Sequence, residues 1–174
     1  MSEKQVFDHL AYYTEGNNLV IERKFSATRE AVFKAYSTSS LLEAWWGPEG
    51  WKTKNASFDF KQNGVWHYCM RCTDENQGDF FGQESWGIAV YKEIVVPEKI
   101  VYTDAFSDKE GNVTSDMPEM LISAFFKEDG QQTLLEITSG FASEEALKQV
   151  LEMGVVQGME SQFRRLDDLL AKGL

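Results

Sequence analysis

Histidine and cysteine are scarce in this chain, with two of each in 174 residues. The histidines are His9 and His67, and neither has neighbours at metal-ligand spacing. No Ser-His-Asp order and no phosphate-cradling glycine loop is present. The cysteines stand together as Cys69-Met70-Arg71-Cys72, formally a C-x-x-C. The flanking Val65-Trp66-His67-Tyr68 alternates like a strand, and strand residues three apart point to opposite faces. No second Cys pair completes a zinc site. Neither a disulfide, a bound metal nor a cofactor is expected. Basic residues are also short, 17 against 28 acidic ones, for a net charge of −11. Nucleic acid and anionic membrane surfaces are therefore poor partners. No apolar run approaches the ~20 residues of a membrane span. The opening Met1-Ser2-Glu3-Lys4 lacks a signal-peptide pattern, so the expected setting is cytoplasmic.

Aromatic residues are abundant: five Trp, six Tyr and twelve Phe. They can fill a large core or line a cavity. The length suits one domain with a substantial interior.

Residues 1–17 have no clear period and read as an N-terminal extension, partly helical, ending at the turn signal Glu15-Gly16-Asn17-Asn18. Leu19 to Phe25 alternates as a strand, with Leu19, Ile21, Arg23 and Phe25 on one face. Two short helices follow and stop at Trp46-Gly47-Pro48, where Gly and Pro forbid continuation. Six strands come next: Trp51–Phe60, Val65–Cys72, Trp86–Val95, Lys99–Phe106, Glu119–Lys127 and Thr133–Ser139. Short turns between most of them make the sheet antiparallel and the class α+β. A long loop, 107–118, interrupts the series.

The last thirty residues read as one long helix. Ser143 caps it, with Glu144 and Glu145 in its first turn. Leu147, Leu151, Val155, Met159, Phe163, Leu166 and Leu170 recur as one apolar stripe, and Gly173 ends it. Such a helix is roughly 45 Å long and needs an extended apolar surface to cover it.

Several of these stretches resemble a known family. Phe25-Ser26-Ala27-Thr28, Val32-Phe33 and Leu42-Glu43-Ala44-Trp45-Trp46-Gly47-Pro48 look like the start of the family named for the activator of the heat-shock protein ninety ATPase. Phe58-Asp59-Phe60 with Asn63-Gly64-Val65-Trp66 is similar too. So are Glu93 to Thr103 and Phe106-Ser107-Asp108 with Gly111-Asn112. Gly158 to Leu170 resembles the family's closing signature, with Met159 where a Trp is usual. The resemblance covers about residues 18–172. It implies a START-like (SRPBCC, Bet v 1-like) domain over 18–174. The implied fold is a helix-grip, a curved antiparallel sheet of about seven strands around a long C-terminal helix.

That superfamily includes binders of lipids, hormones and polyketides, some cyclases, and one branch that stimulates a chaperone. The favoured expectation is a non-catalytic binder of a small hydrophobic or aromatic ligand. A co-chaperone acting on the heat-shock protein 90 ATPase is the alternative, and a polyketide cyclase-like enzyme a weaker one. The chaperone alternative loses ground because the chain lacks the separate N-terminal domain that eukaryotic activators add.

The expected cavity lies between the long helix and the concave sheet face. Trp66, Tyr68, Met70, Met120, Met153 and Gln157 are its candidate walls, with Trp45 or Trp46 at the mouth. Arg23 and Glu93 share strand parity with apolar neighbours. They are either structural ion-pair members or the polar anchor of a ligand. Gly154 and Gly158 lie four apart on the helix, for close packing or for cavity volume. His67, on the polar face of its strand, reads as a solvated surface residue.

Overall fold

A computed structural model describes residues 2–114 and 119–173. The strands are β1 (Gln5–Phe7), β2 (Leu10–Glu15), β3 (Asn18–Phe25), β4 (Trp51–Phe58), β5 (Val65–Cys72), β6 (Glu84–Val95), β7 (Lys99–Ser107), β8 (Met120–Asp129) and β9 (Gln132–Gly140). The helices are α1 (Arg29–Ser37), α2 (Ser39–Trp45), α3 (Glu144–Glu152) and α4 (Val155–Ala171). All strands join one nine-stranded antiparallel sheet in the order β1-β2-β3-β9-β8-β7-β6-β5-β4. This is the expected helix-grip arrangement, with two strands more than the seven read from sequence. The extra pair comes from the N-terminal segment. Residues 5–15 form a hairpin that pairs with β3, from Leu10 opposite Arg23 to Glu15 opposite Asn18, so the partial helix expected there is replaced by strand. Part of the expected 107–118 loop, residues 115–118, lies outside the described residues.

The inward parity of the sheet builds the core. Ile21, Phe25, Trp66, Ala89, Ile100, Ala124, Phe126, Leu135 and Ile137 are all buried on that face. Helix α1 caps through the Thr28 hydroxyl, which accepts from the Ala31 N–H. It places Val32, Phe33 and Tyr36 against Phe126, and α2 adds Leu42 and Trp45. Phe163 and Leu166 of α4 are fully buried against the same cluster.

The C-terminal segment is not one continuous helix. Gly154 adopts φ 89° and ψ 30°, a left-handed conformation that L side chains rarely take. Its N–H donates to the Leu151 carbonyl and closes α3. Its own carbonyl then accepts from the Gly158 N–H and starts α4. The break re-aims the apolar stripe, so Met153 at the junction is 61% exposed. Among the described residues no helix is long and apolar enough to cross a membrane.

The outer face of the sheet also differs from expectation at one point. His67 is buried, not solvated. Its Nε2 lies 3.0 Å from the Asp108 carbonyl, and its ring packs on Trp86. The turn through Gly111 lies over it. A loop distant in sequence thus covers what strand parity alone marked as exposed. Cys69 and Cys72, further along the same strand, are free thiols.

Candidate functional site

The element that positions the site is the turn Trp46-Gly47-Pro48 after α2. Gly47 sits at φ 95°, which lets the chain reverse there. Arg165 of α4 holds the turn from below. Its Nη1 donates to the carbonyls of Gly47 and Trp51, both at 2.8 Å, and lies within reach of those of Trp46 and Pro48. Gln162 accepts the Gly47 N–H through Oε1 at 2.8 Å, which fixes the orientation of its amide. The Trp46 carbonyl also accepts the Thr53 hydroxyl at 2.6 Å. Trp46 and Pro48 are thereby fixed as one wall of a cleft.

The opposite walls come from the sheet and from α4. Tyr68 and Met70 of β5, Trp86 and Gly87 of β6, Asp104 and Phe106 of β7, and Met120 of β8 line the sheet side. Val155, Gly158, Met159 and Gln162 line the helix side. The cleft holds about 380 Å³ and is open to solvent. An adjoining pocket of about 130 Å³ reaches inward past Tyr36, Ile122 and Phe141. Volumes of this size suit a small organic ligand. A Cβ built on Gly158 meets nothing within 4 Å, so the missing side chain leaves space.

Among the described residues one charge-bearing group faces this apolar space. Asp104 is 8% exposed, and its carboxyl group accepts from the Tyr68 hydroxyl at 2.9 and 3.1 Å. Burial pushes its pKa up to about 7, against the lowering effect of the Tyr68 hydroxyl and the Ala105 N–H. Burial, with the Asp104 charge beside it, likewise keeps the Tyr68 phenol protonated well above its ordinary range. Gly87 makes the Tyr68–Asp104 contact possible. It stands opposite Tyr68 in the β5–β6 register, and a Cβ there would lie 2.4 Å from the Tyr68 ring.

Of the residues expected at the site, Trp46, Tyr68, Met70 and Met120 meet in the cleft. Trp45 and Trp66 do not. Both are buried in the core with their indole N–H groups satisfied, Trp45 by the Ala35 carbonyl and Trp66 by Asn55 Oδ1. Met153 is left outside by the helix break. Gln157 lies on the other side of α4, in a polar groove with Phe7, Glu49, Arg164 and Asp168. That groove is larger, about 510 Å³, but Arg164 is already paired there with Asp8 and the walls are charged and solvated.

Neither expected anchor reaches the cleft. Arg23 is buried in an ion-pair network with α4. Its Nε donates to Glu160 at 3.0 Å, and its Nη atoms donate to Asp167 at 2.6 and 3.0 Å. It serves the structural role. Glu93 is turned outward. A bulge between Tyr91 and Glu93 shifts the β6–β7 register by one residue and reverses the parity beyond it. Glu93 therefore pairs with Lys99 at 2.9 Å in solvent.

The model of the family described as Activator of Hsp90 ATPase homolog 1-like protein matches residues 26–171. The chain belongs to that family. A solution structure of a Staphylococcus epidermidis protein is 30% identical, with 94% of each chain covered and a TM-score of 0.80. Protein Ms6760 of Mycobacterium smegmatis is 26% identical over 97% of each chain, with a TM-score of 0.79. An Arthrobacter aurescens protein, 23% identical over 92% of this chain and 91% of its own, shares the fold at a TM-score of 0.82. No curated protein matches.

For this member of the Hsp90-activator-like family, sequence reasoning missed Asp104, Gln162 and Met159. Asp104 carried a usable signal, since it shares strand parity with Ile100 and Tyr102. Gln162 and Arg165 carried none, because their partners are main-chain groups more than 110 residues away.

Proposed function

We propose that this family member is a non-catalytic, cytoplasmic binding protein for a small hydrophobic or aromatic ligand held in the cleft beneath Trp46. The observation that carries this reading is the cleft itself, about 380 Å³ of mainly apolar wall kept open where Gly158 has no side chain. The wall chemistry supports binding over catalysis. Among the described residues the cleft is lined by one carboxyl, one phenol, one serine hydroxyl and the Gln162 amide, with no His, Cys, Lys or Arg. The two buried thiols suit a reducing compartment.

Trp46 on the wall supplies the readout. A neutral naphthalene probe is expected to shift the tryptophan fluorescence saturably. Gly158→Leu is expected to abolish that response while the thermal melt is kept or raised. Saturable binding that survives Gly158→Leu unchanged would sink the assignment of the cleft.

A further inference from the structure

Asp104 is an acceptor placed where the cleft has almost nothing else polar. The carboxyl has about four lone-pair sites. One Tyr68 proton, shared between its two oxygens, engages part of that capacity. The remaining surface faces Trp46, Met120, Met159 and Gln162. Among the described residues no cation balances it. From β5 the facing titratable group is Tyr68, from β6 Tyr91, from β7 itself Tyr102, and from α1 Tyr36. All four are phenols held protonated by burial. From α4 comes only the neutral amide of Gln162, and from β8 and the Trp46 turn no charged group at all. Lys and Arg are absent from the walls among the described residues. An anionic ligand would therefore bring a second negative charge beside Asp104 with nothing to neutralise either. A cation would meet the carboxylate beside the rings of Trp46 and Tyr68, whose π-faces also attract cations. The net charge of −11 draws cations toward the molecule at long range.

We infer that the cleft selects small apolar molecules bearing a protonated amine, with the ammonium nitrogen seated on Asp104 and the apolar body against Trp46, Met120 and Met159. This rests on the cleft being a ligand site. Binding exchanges no covalent bond; the amine keeps its proton, and Asp104 is held ionised by the charge it receives. The Asp104 pKa, near neutrality in the protein alone, falls on binding. Affinity for an amine therefore drops as pH is lowered and Asp104 takes up a proton. Sharing the same site, a neutral alcohol of equal size is indifferent to that change.

The test uses three probes of one shape, naphthylmethylamine, naphthalenemethanol and naphthoate, titrated by tryptophan fluorescence and calorimetry against the full chain. At about pH 8 the amine is expected to bind about tenfold or more tighter than the alcohol, the margin of a charge-assisted over a neutral hydrogen bond, with naphthoate weakest. Between about pH 7 and pH 5 the amine loses up to roughly tenfold per unit, while the alcohol stays nearly flat. Asp104→Asn is expected to erase the amine's advantage and leave the alcohol within a few fold. An amine that binds no better than the alcohol, or that keeps its preference in Asp104→Asn, overturns the inference and leaves the cleft standing. If none of the three binds, the cleft reading falls and the amine preference with it. Should Asp104→Asn fail to fold, the pH series on the native protein decides: equal slopes for amine and alcohol overturn the inference.

Discussion

Two carboxyl groups are buried beside α4, Glu160 on the helix and Asp104 across from it on β7, and their surroundings differ. Glu160 is 1% exposed and faces Arg23, with the His9 N–H donating to its second oxygen. Arg23 in turn holds Asp167 and the Lys24 carbonyl. Every charge there has a partner, and the result joins β3, the N-terminal hairpin and α4. Asp104 is also buried, but among the described residues its side-chain donor is the Tyr68 hydroxyl alone. A paired buried charge acts as a structural tie. An underpaired one beside a cleft keeps binding capacity in reserve.

The comparison breaks most sharply at Arg23. Arg23→Ala strands Glu160 without a cation, and the loss expected is about 3–5 kcal/mol in urea denaturation. Replacing both partners, as Arg23→Met with Glu160→Leu, is expected to recover most of it, because desolvation and attraction are removed together. A single variant within about 0.5 kcal/mol of native would mean that the network is ornamental.

Asp104→Asn should act in the opposite direction. The carboxyl is raised from 3.8 to about 7, so the folded state binds its proton more tightly than the unfolded chain does. The group's contribution to stability is then full below about pH 4, declines as pH rises through 7, and is constant above that. Removing the charge is expected to stabilise the protein at pH 8 by on the order of 2–4 kcal/mol, with little change at pH 4. Equal effects at both pH values would show that Asp104 is ionised as easily folded as unfolded.

Gly87→Ala tests the support of that carboxyl. The new methyl would meet the Tyr68 ring at 2.4 Å, so the ring must move off Asp104. A loss of about 1–3 kcal/mol is expected, as for overpacking elsewhere in cores. A further rise in the Asp104 titration point should accompany it, read by carboxyl infrared bands. An unchanged titration would separate Tyr68 from the tuning of Asp104.

Much of this was legible in the sequence, and the failures have physical causes. Strand parity placed Tyr68, Met70 and Met120 inward, and it marked Arg23 as a buried charge. The same parity misplaced Glu93, because a bulge at the preceding residue reverses the alternation and leaves no pattern in the amino acids. Asp104 carried the signal that singled out Arg23, and only its partner Tyr68 makes its role plain. His67 was misjudged because a loop some forty residues away covers it. Trp45 and Trp66 read as cavity walls, since an aromatic side chain looks the same in sequence whether it fills space or borders it. The apolar stripe was correct for Phe163 and Leu166. It ran too far back, through a break that depends on one backbone angle.

That break supplies the smallest effect and the cleanest contrast. Gly154 and Gly158 look alike in sequence, four apart in one apolar stripe. Gly154 carries φ 89° and ends α3, whereas Gly158 has ordinary helical geometry and open space where a Cβ would stand. Alanine at Gly154 must adopt the left-handed conformation or straighten the helix, at about 1 kcal/mol. Alanine at Gly158 gains helix propensity with nothing to clash against, and is expected to stabilise by up to about 1 kcal/mol. Thermal melts of the two single variants should therefore move in opposite directions. Ligand binding separates them again. Gly158→Ala puts a methyl into the cleft and is expected to weaken probe binding several-fold, while Gly154→Ala touches no wall and acts only through the placement of Val155 and Met159. A stabilising Gly154→Ala would show that the bend at Gly154 is not built into the native backbone, and the stripe would then run as one continuous helix.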